Sequence, residues 1–205
     1  MEVVEAFGLC PWAERATRDG RIRERVVLQT DVTDAGPSLA AIDDWMRDAG
    51  AEVGFLIYPR LETTKQGFHE FTGLVRDADT PRHALGEVPF VFAAFYPKAA
   101  PETSDPERLI PFLRRTPDPT IQMLRASVLD SIRNGASQGT QFVNIASLDA
   151  AITGTGTPPL RERIARTNLA TAERVGLEAM TRLLDDIRRD RDDTYARLER
   201  GTPNA

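Results

Sequence analysis

The chain has 205 residues, 41% of them hydrophobic and 28% charged, with a net charge of −5 and a single cysteine. That length suits one domain with a core large enough to need neither disulfide nor structural metal. The acidic balance argues against nucleic acid or an anionic membrane as a partner. One cysteine excludes an intrachain disulfide and, with histidine only at His69 and His83, a structural zinc site of four cysteines or of two cysteines and two histidines.

The N-terminal run Met1-Glu2-Val3-Val4-Glu5 lacks the apolar core of a signal peptide, and no stretch reaches the length of a membrane span. The expected setting is therefore cytoplasmic. Three apolar runs read as strands: Arg25 to Thr30, Val53 to Tyr58 closed by Pro59, and Pro89 to Tyr96 closed by Pro97. The last two are apolar on consecutive residues, as strands buried on both faces are. Between them Ser38 is expected to cap a helix over Leu39 to Asp48, and Phe68, Phe71, Leu74 and Val75 mark a second helix ending near Asp79. Lys98 to Pro119 is rich in Pro and Arg and reads as an irregular loop. Asp118 and Pro119 then open a helix with Ile121, Leu124, Val128 and Ile132 on one face. Residues 134–159 are rich in Gly, Ser and Thr and read as an insertion or lid. Helices over Leu160 to Val175 and Leu177 to Leu198 finish the chain, with a disordered tail at 201–205. The expectation is a single α/β domain over 1–200: a small, mostly parallel sheet of three to four strands, covered by helices, with a long C-terminal helix.

Cys10, in Phe7-Gly8-Leu9-Cys10-Pro11-Trp12, draws attention first. Pro11 suits the first turn of a helix, which puts Cys10 at its cap, where partial positive charge favours a thiolate. A Cys-Pro pair also suits a thiolate ligand to haem iron. Without a ligand, Cys10 reads as a buried structural cysteine. The strand ends come second: Tyr58-Pro59-Arg60 and Tyr96-Pro97-Lys98. In open α/β sheets ligands bind beyond the carboxyl ends of the strands, so two tyrosines and two cations would meet at one rim. Each end alone is equally an ordinary strand stop. Arg115, in Arg114-Arg115-Thr116-Pro117-Asp118-Pro119, with Gln122 and Arg125 one turn apart on the helix that follows, reads as an anion clamp or a solvated basic turn. Asn168 falls among apolar positions of its helix, where a buried amide fixes a loop or touches a ligand. The mixed run Asp185 to Asp193 reads as a solvated face. The stripe Leu177, Met180, Leu184 and Ile187 must bury against the domain or a second subunit. No Walker loop, dinucleotide fingerprint or serine-hydrolase elbow is present.

Taken in order, these features resemble a bacterial family of unknown function, the domain group numbered 1415, over nearly the whole chain. Its Asn-Leu-Cys-Pro-Phe-Ala run is matched by Gly8-Leu9-Cys10-Pro11-Trp12-Ala13. Its apolar strand ending in proline is matched by Leu56-Ile57-Tyr58-Pro59, and its Phe-His-Pro by Phe95-Tyr96-Pro97. Its Arg-Ser-Pro-Tyr-Pro and His-Leu-Leu-Arg are matched by Arg115-Thr116-Pro117-Asp118-Pro119 and Gln122-Met123-Leu124-Arg125, and a late Arg-Asn by Arg166-Thr167-Asn168. Both family histidines are replaced here, by Tyr96 and Gln122, so a Cys-His pair built from them is missing. The chain reads as a divergent member, with Tyr96 as a second catalytic candidate beside Cys10.

The leading functional expectation is a small-molecule enzyme with a Cys10 thiolate. Tyr58, Arg60, Lys98, Arg115, Gln122, Arg125 and Asn168 would hold a small anionic metabolite. The alternatives are a haem protein with Cys10 as axial ligand, and a non-catalytic metabolite-binding or interaction domain that forms a homodimer through the C-terminal helix.

Overall fold

The structure is a computed structural model and describes residues 13–83, 88–135 and 160–201. Cys10, nearly all of the expected insertion at 134–159 and most of the expected tail lie outside the described residues. In chain order the elements are α1 (Ala13–Arg18), β1 (Ile22–Val26), α2 (Gly36–Arg47), β2 (Val53–Ile57) and α3 (Lys65–Asp79) with a 3-10 turn at Thr80–Arg82. There follow β3 (Phe90–Phe95), α4 (Pro106–Leu113), β4 (Thr120–Arg125), α5 (Ala126–Gly135), α6 (Leu160–Val175) and α7 (Leu177–Gly201).

The fold is α/β, with four strands in the order β1-β2-β4-β3 and a long C-terminal helix. The expectation of a mostly parallel sheet is corrected. β1 and β2 pair in parallel, but β4 runs antiparallel to both of its neighbours. The cause is the segment expected to be a helix from Pro119. Thr120–Arg125 is instead the inserted strand β4, and the helix begins only at Ala126. A central strand is buried on both faces, so apolar residues fall at consecutive positions and imitate helical spacing. Ile121 and Met123 pack on one face of the sheet, whereas Leu124 packs on the other with Val128 of the helix that folds back beneath it.

The first strand begins earlier than expected, at Ile22, and the ladder is extended by Val27, whose N–H donates to the Ile57 carbonyl at 2.8 Å. The irregular loop from Lys98 to Pro119 contains α4, disguised by Pro106 at its start and Pro111 within it. Asp105 caps it by accepting from the Glu107 N–H at 2.7 Å. Ser38 is not the cap of α2, which starts at Gly36. Its hydroxyl is buried inside the domain.

Helices α2 and α3 cover the first face of the sheet. Ile42, Trp45, Phe68, Phe71 and Val75 meet Leu56, Tyr58, Phe90, Ile121 and Met123 there. Each such side chain contributes about 1.5–3 kcal/mol by burial. Helices α1 and α5 cover the second face, where Ala16 and Val128 meet Val53, Phe55 and Leu124. A third core lies apart from the sheet. Leu109 and Phe112 of α4, Ala172 of α6 and Met180 of α7 form it, with Leu177 and Leu184 packed alongside. Of the apolar stripe of the last helix, Met180 is buried in this core, while Leu177, Leu184 and Ile187 stay half-exposed. Among the described residues, no helix is long and apolar enough to cross a membrane.

Candidate functional site

Because β2 and β3 run together and β4 runs against them, Ile57, Thr120 and Phe95 stand side by side at one edge. Val26 of β1 ends beside Ile57 at the same edge; next to it the chain leaves through Tyr58-Pro59-Arg60 and Tyr96-Pro97-Lys98 and arrives through Arg114 to Pro119. This is the expected rim, with a third segment added by β4.

Side chains brace the three segments. The Tyr96 hydroxyl donates to the Thr63 carbonyl at 2.8 Å, tying the β3 exit to the β2 exit. Arg115 Nε donates to the Pro97 carbonyl at 2.9 Å, tying the arriving turn to the β3 exit. The Tyr58 N–H donates to the Pro119 carbonyl at 3.0 Å. Within the turn, the hydroxyls of Thr116 and Thr120 donate to the Asp118 carbonyl at 2.6 and 2.9 Å.

Helix α7 crosses this edge. Asp185 accepts from Arg115 at 3.0 Å. Arg191 donates to the Asp118 carboxylate and, at 3.3 Å, to the Pro59 carbonyl. The Tyr195 hydroxyl donates to the other Asp118 oxygen at 3.0 Å, and the Arg191 guanidinium lies 4.1 Å from the centre of the Tyr195 ring. The Asp118 side chain is only 7% exposed. Burial works against the Arg191 charge, but hydrogen bonds to Asp118 and Asp192 hold its pKa above the usual arginine value. Burial, then the neighbouring Asp118 charge, pushes the Tyr195 phenol up.

The expected site residues separate into groups. Arg60 and Lys98 are exposed on the rim, with no carboxylate partner among the described residues. Arg115 reaches the rim, but its side chain is 13% exposed and already engaged by Pro97 and Asp185. Tyr58 is not on the surface. It is fully buried, its hydroxyl lies 2.8 Å from that of Ser38, and burial raises its pKa. Gln122 sits half-buried on the second face, opposite Phe55 and Ala93. Arg125 lies at the far end of β4, about 17 Å along the strand from the rim. It donates to the carbonyls of Ala51, Trp45 and Asp48 at 2.7, 2.9 and 2.9 Å. One pocket therefore cannot take its cations from both Arg115 and Arg125. Asn168 is buried on α6, on the face that carries Ala165 and Ala172, and this helix packs against α4. Cys10 precedes α1 by three residues and is outside the described part.

The family described as "Protein of unknown function (DUF1415)" matches residues 1–147. The chain belongs to that family. The match takes in Cys10 and the whole rim, including Asp118, and ends before α6. Asn168 and the α7 residues that hold Asp118 therefore lie beyond it, which shortens the resemblance expected over nearly the whole chain. No curated protein and no solved structure matches the chain.

Asp118 is expected from the sequence only to open a helix, which the strand at Thr120 replaces, and Arg191 and Tyr195 are not expected at a site. A signal was present. The stripe Leu177, Met180, Leu184, Ile187 continues with the same alternation of three and four to Arg191, so the arginine belongs to the inward face of α7. Among the described residues, no group of three or more His, Cys, Asp or Glu is placed to hold a metal ion.

Proposed function

We propose that this member of the family is a small-molecule enzyme that receives a small anionic metabolite at the sheet rim and uses Cys10 as its reactive thiolate. The observation that supports this reading is the pair Arg60 and Lys98. In a chain of net charge −5, these two cations leave one braced edge without a carboxylate partner among the described residues, while Arg115 and Arg191 beside them are neutralised. A rim already tied together by Tyr96, Arg115 and Arg191 spends little entropy in presenting them. Two exposed cations bind a carboxylate or phosphate only weakly in water, so chemistry there needs a further group. Cys10 is the candidate. Three Cα steps put it within about 11 Å of Ala13, and α1 is fixed to the second face by Ala16. Ala16 packs beside Val53 and Leu124, and Arg15 donates to Glu52 at 2.9 Å, so α1 is held near the start of β2 and the segment before it has to run back along the second face to bring Cys10 to the rim.

The test uses the single thiol of the chain. Alkylation of Cys10 by iodoacetamide is followed with and without millimolar inorganic phosphate, in the wild type and in Arg60→Ala/Lys98→Ala. Phosphate is expected to slow labelling in the wild type and to have no effect in the double variant. Identical rates in all four conditions would overturn the reading.

A further inference from the structure

The two halves of α7 are held by different forces. The proximal half is anchored by Met180, with Leu177 and Leu184 packed beside it in the third core. From Arg188 to Arg200 the sequence is Arg-Arg-Asp-Arg-Asp-Asp-Thr-Tyr-Ala-Arg-Leu-Glu-Arg, and Leu198 is 63% exposed. Within this stretch of roughly 20 Å, Arg191 and Tyr195 close on Asp118 and the Pro59 carbonyl.

We propose that the distal half of α7 is a polar strap across the β2 exit, latched by Asp118, which opens and recloses as a unit while the rest of the domain stays folded. Asp118 has the properties of a latch. Its carboxylate is buried, and among the described residues both of its partners come from α7; the nearby threonine hydroxyls go to its main-chain carbonyl instead. With the strap closed the carboxylate is paired, and with the strap open it is hydrated. Both states satisfy it, so closing is favoured only modestly, enough to protect the strap but not to fix it shut. An apolar seal of the same extent would resist opening, because its surface has no favourable state in water. The closed state is also imperfect: Arg191 Nε is buried without a hydrogen-bond partner, which lowers the cost of release. Opening uncovers Asp118 and the Pro59 carbonyl beside Arg60, so the strap controls one side of the rim. Being ionic, the latch weakens as salt rises.

Hydrogen exchange on the full chain tests this without any ligand, so its outcome does not depend on the proposed enzyme activity. In the wild type at low salt, peptides over 188–200 are expected to be protected. In Arg191→Gln, and in the wild type at about 0.5 M salt, they are expected to exchange roughly tenfold faster or more. Peptides over 177–184 and β4 should keep wild-type protection. Asp118→Asn should behave as Arg191→Gln does; because Arg191 lies on the helix, its replacement leaves the rim turn intact even if the Asp118 variant folds poorly. The strap is refuted by equal exchange over 188–200 in wild type and Arg191→Gln, by loss of protection that spreads to β4, or by a wild type already unprotected there at low salt.

Discussion

Replacing Arg125 with methionine separates two roles that the sequence leaves open for it, anion clamp and internal brace. Its guanidinium donates to three main-chain carbonyls, Ala51, Trp45 and Asp48, at 2.7, 2.9 and 2.9 Å, and lies 4.9 Å from the centre of the Phe90 ring. Trp45 belongs to the last turn of α2, where carbonyls have no intrahelical partner. The Asp48 carbonyl keeps one other donor, the Ala51 N–H at 3.0 Å. The Trp45 and Ala51 carbonyls would therefore bear most of the loss. A hydrogen bond from a charged donor contributes about 1.5–3 kcal/mol when buried. Arg125 is half-buried and water can replace part of what it gives, so the net cost should be about 3 kcal/mol. For a domain of this size that lowers the melting temperature by roughly 6–12 °C, readable by circular dichroism. Arg125→Lys should recover less than half, since one ammonium cannot span three carbonyls. A methionine variant that melts within a degree or two of wild type but loses stabilisation by phosphate would refute the brace and restore the clamp.

Two further outcomes follow from the core. A Cβ added at Gly54 would stand 2.5 and 2.7 Å from Cζ3 and Cε3 of Trp45, so Gly54→Ala should destabilise by about 1–3 kcal/mol through overpacking; an unchanged urea midpoint would contradict that geometry. Burial raises the Tyr58 phenol above its ordinary value of 10, with the Ser38 hydrogen bond opposing. Above pH 10 the unfolded chain releases a proton that the folded chain keeps, so stability falls with rising pH by up to about 1.4 kcal/mol per unit. Urea unfolding between pH 8 and 11 should show this fall, smaller in Tyr58→Phe and with a residue left by Tyr195; an identical slope in the variant would rule out Tyr58 as its source.

What the sequence made legible was local. β2 and β3 are uninterrupted apolar runs stopped by proline, and α3 carries its own stripe and its own cap, the Thr64 hydroxyl accepting from the Gly67 N–H at 3.0 Å. The β4 segment reads as a helix because Ile121 and Leu124 are three apart, as on a helix face, whereas in the sheet they point to opposite faces. α4 was hidden because Pro106 and Pro111 read as loop residues, although Leu109 and Phe112 are fully buried. The rim was legible as a place, since both strands stop there. Its chemistry was less so, because pairing is non-local. Asp118 meets Arg191 across 73 positions of sequence, and Arg125 turns to the α2 carbonyls rather than to Arg115. Tyr58 has the sequence context of a rim tyrosine, but the alternation along β2 turns its ring into the core, in edge contact with Phe71 at 5.4 Å.

The same alternation bears on Tyr96 and Gln122, the two positions where the resemblance puts histidine. Tyr96 continues the face of Phe92 and Ala94, packs near Phe68 with ring centres 6.3 Å apart, and gives its hydroxyl to Thr63. Gln122 is paired with Phe55 and Ala93 on the other face, the one that carries α1. A sheet separates the two side chains, so one site in this chain cannot draw on both at short range. The hydroxyl of Tyr96 serves as the tie between the two strand exits. Gln122, half-exposed and on the side from which the Cys10 segment joins the domain through α1, is the position the proposed reaction can use. An amide there donates and accepts hydrogen bonds but does not take up a proton at neutral pH. A reaction at that face therefore rests on a thiol already ionised, and for this the proposed site depends on the cations of the rim rather than on a neighbouring base.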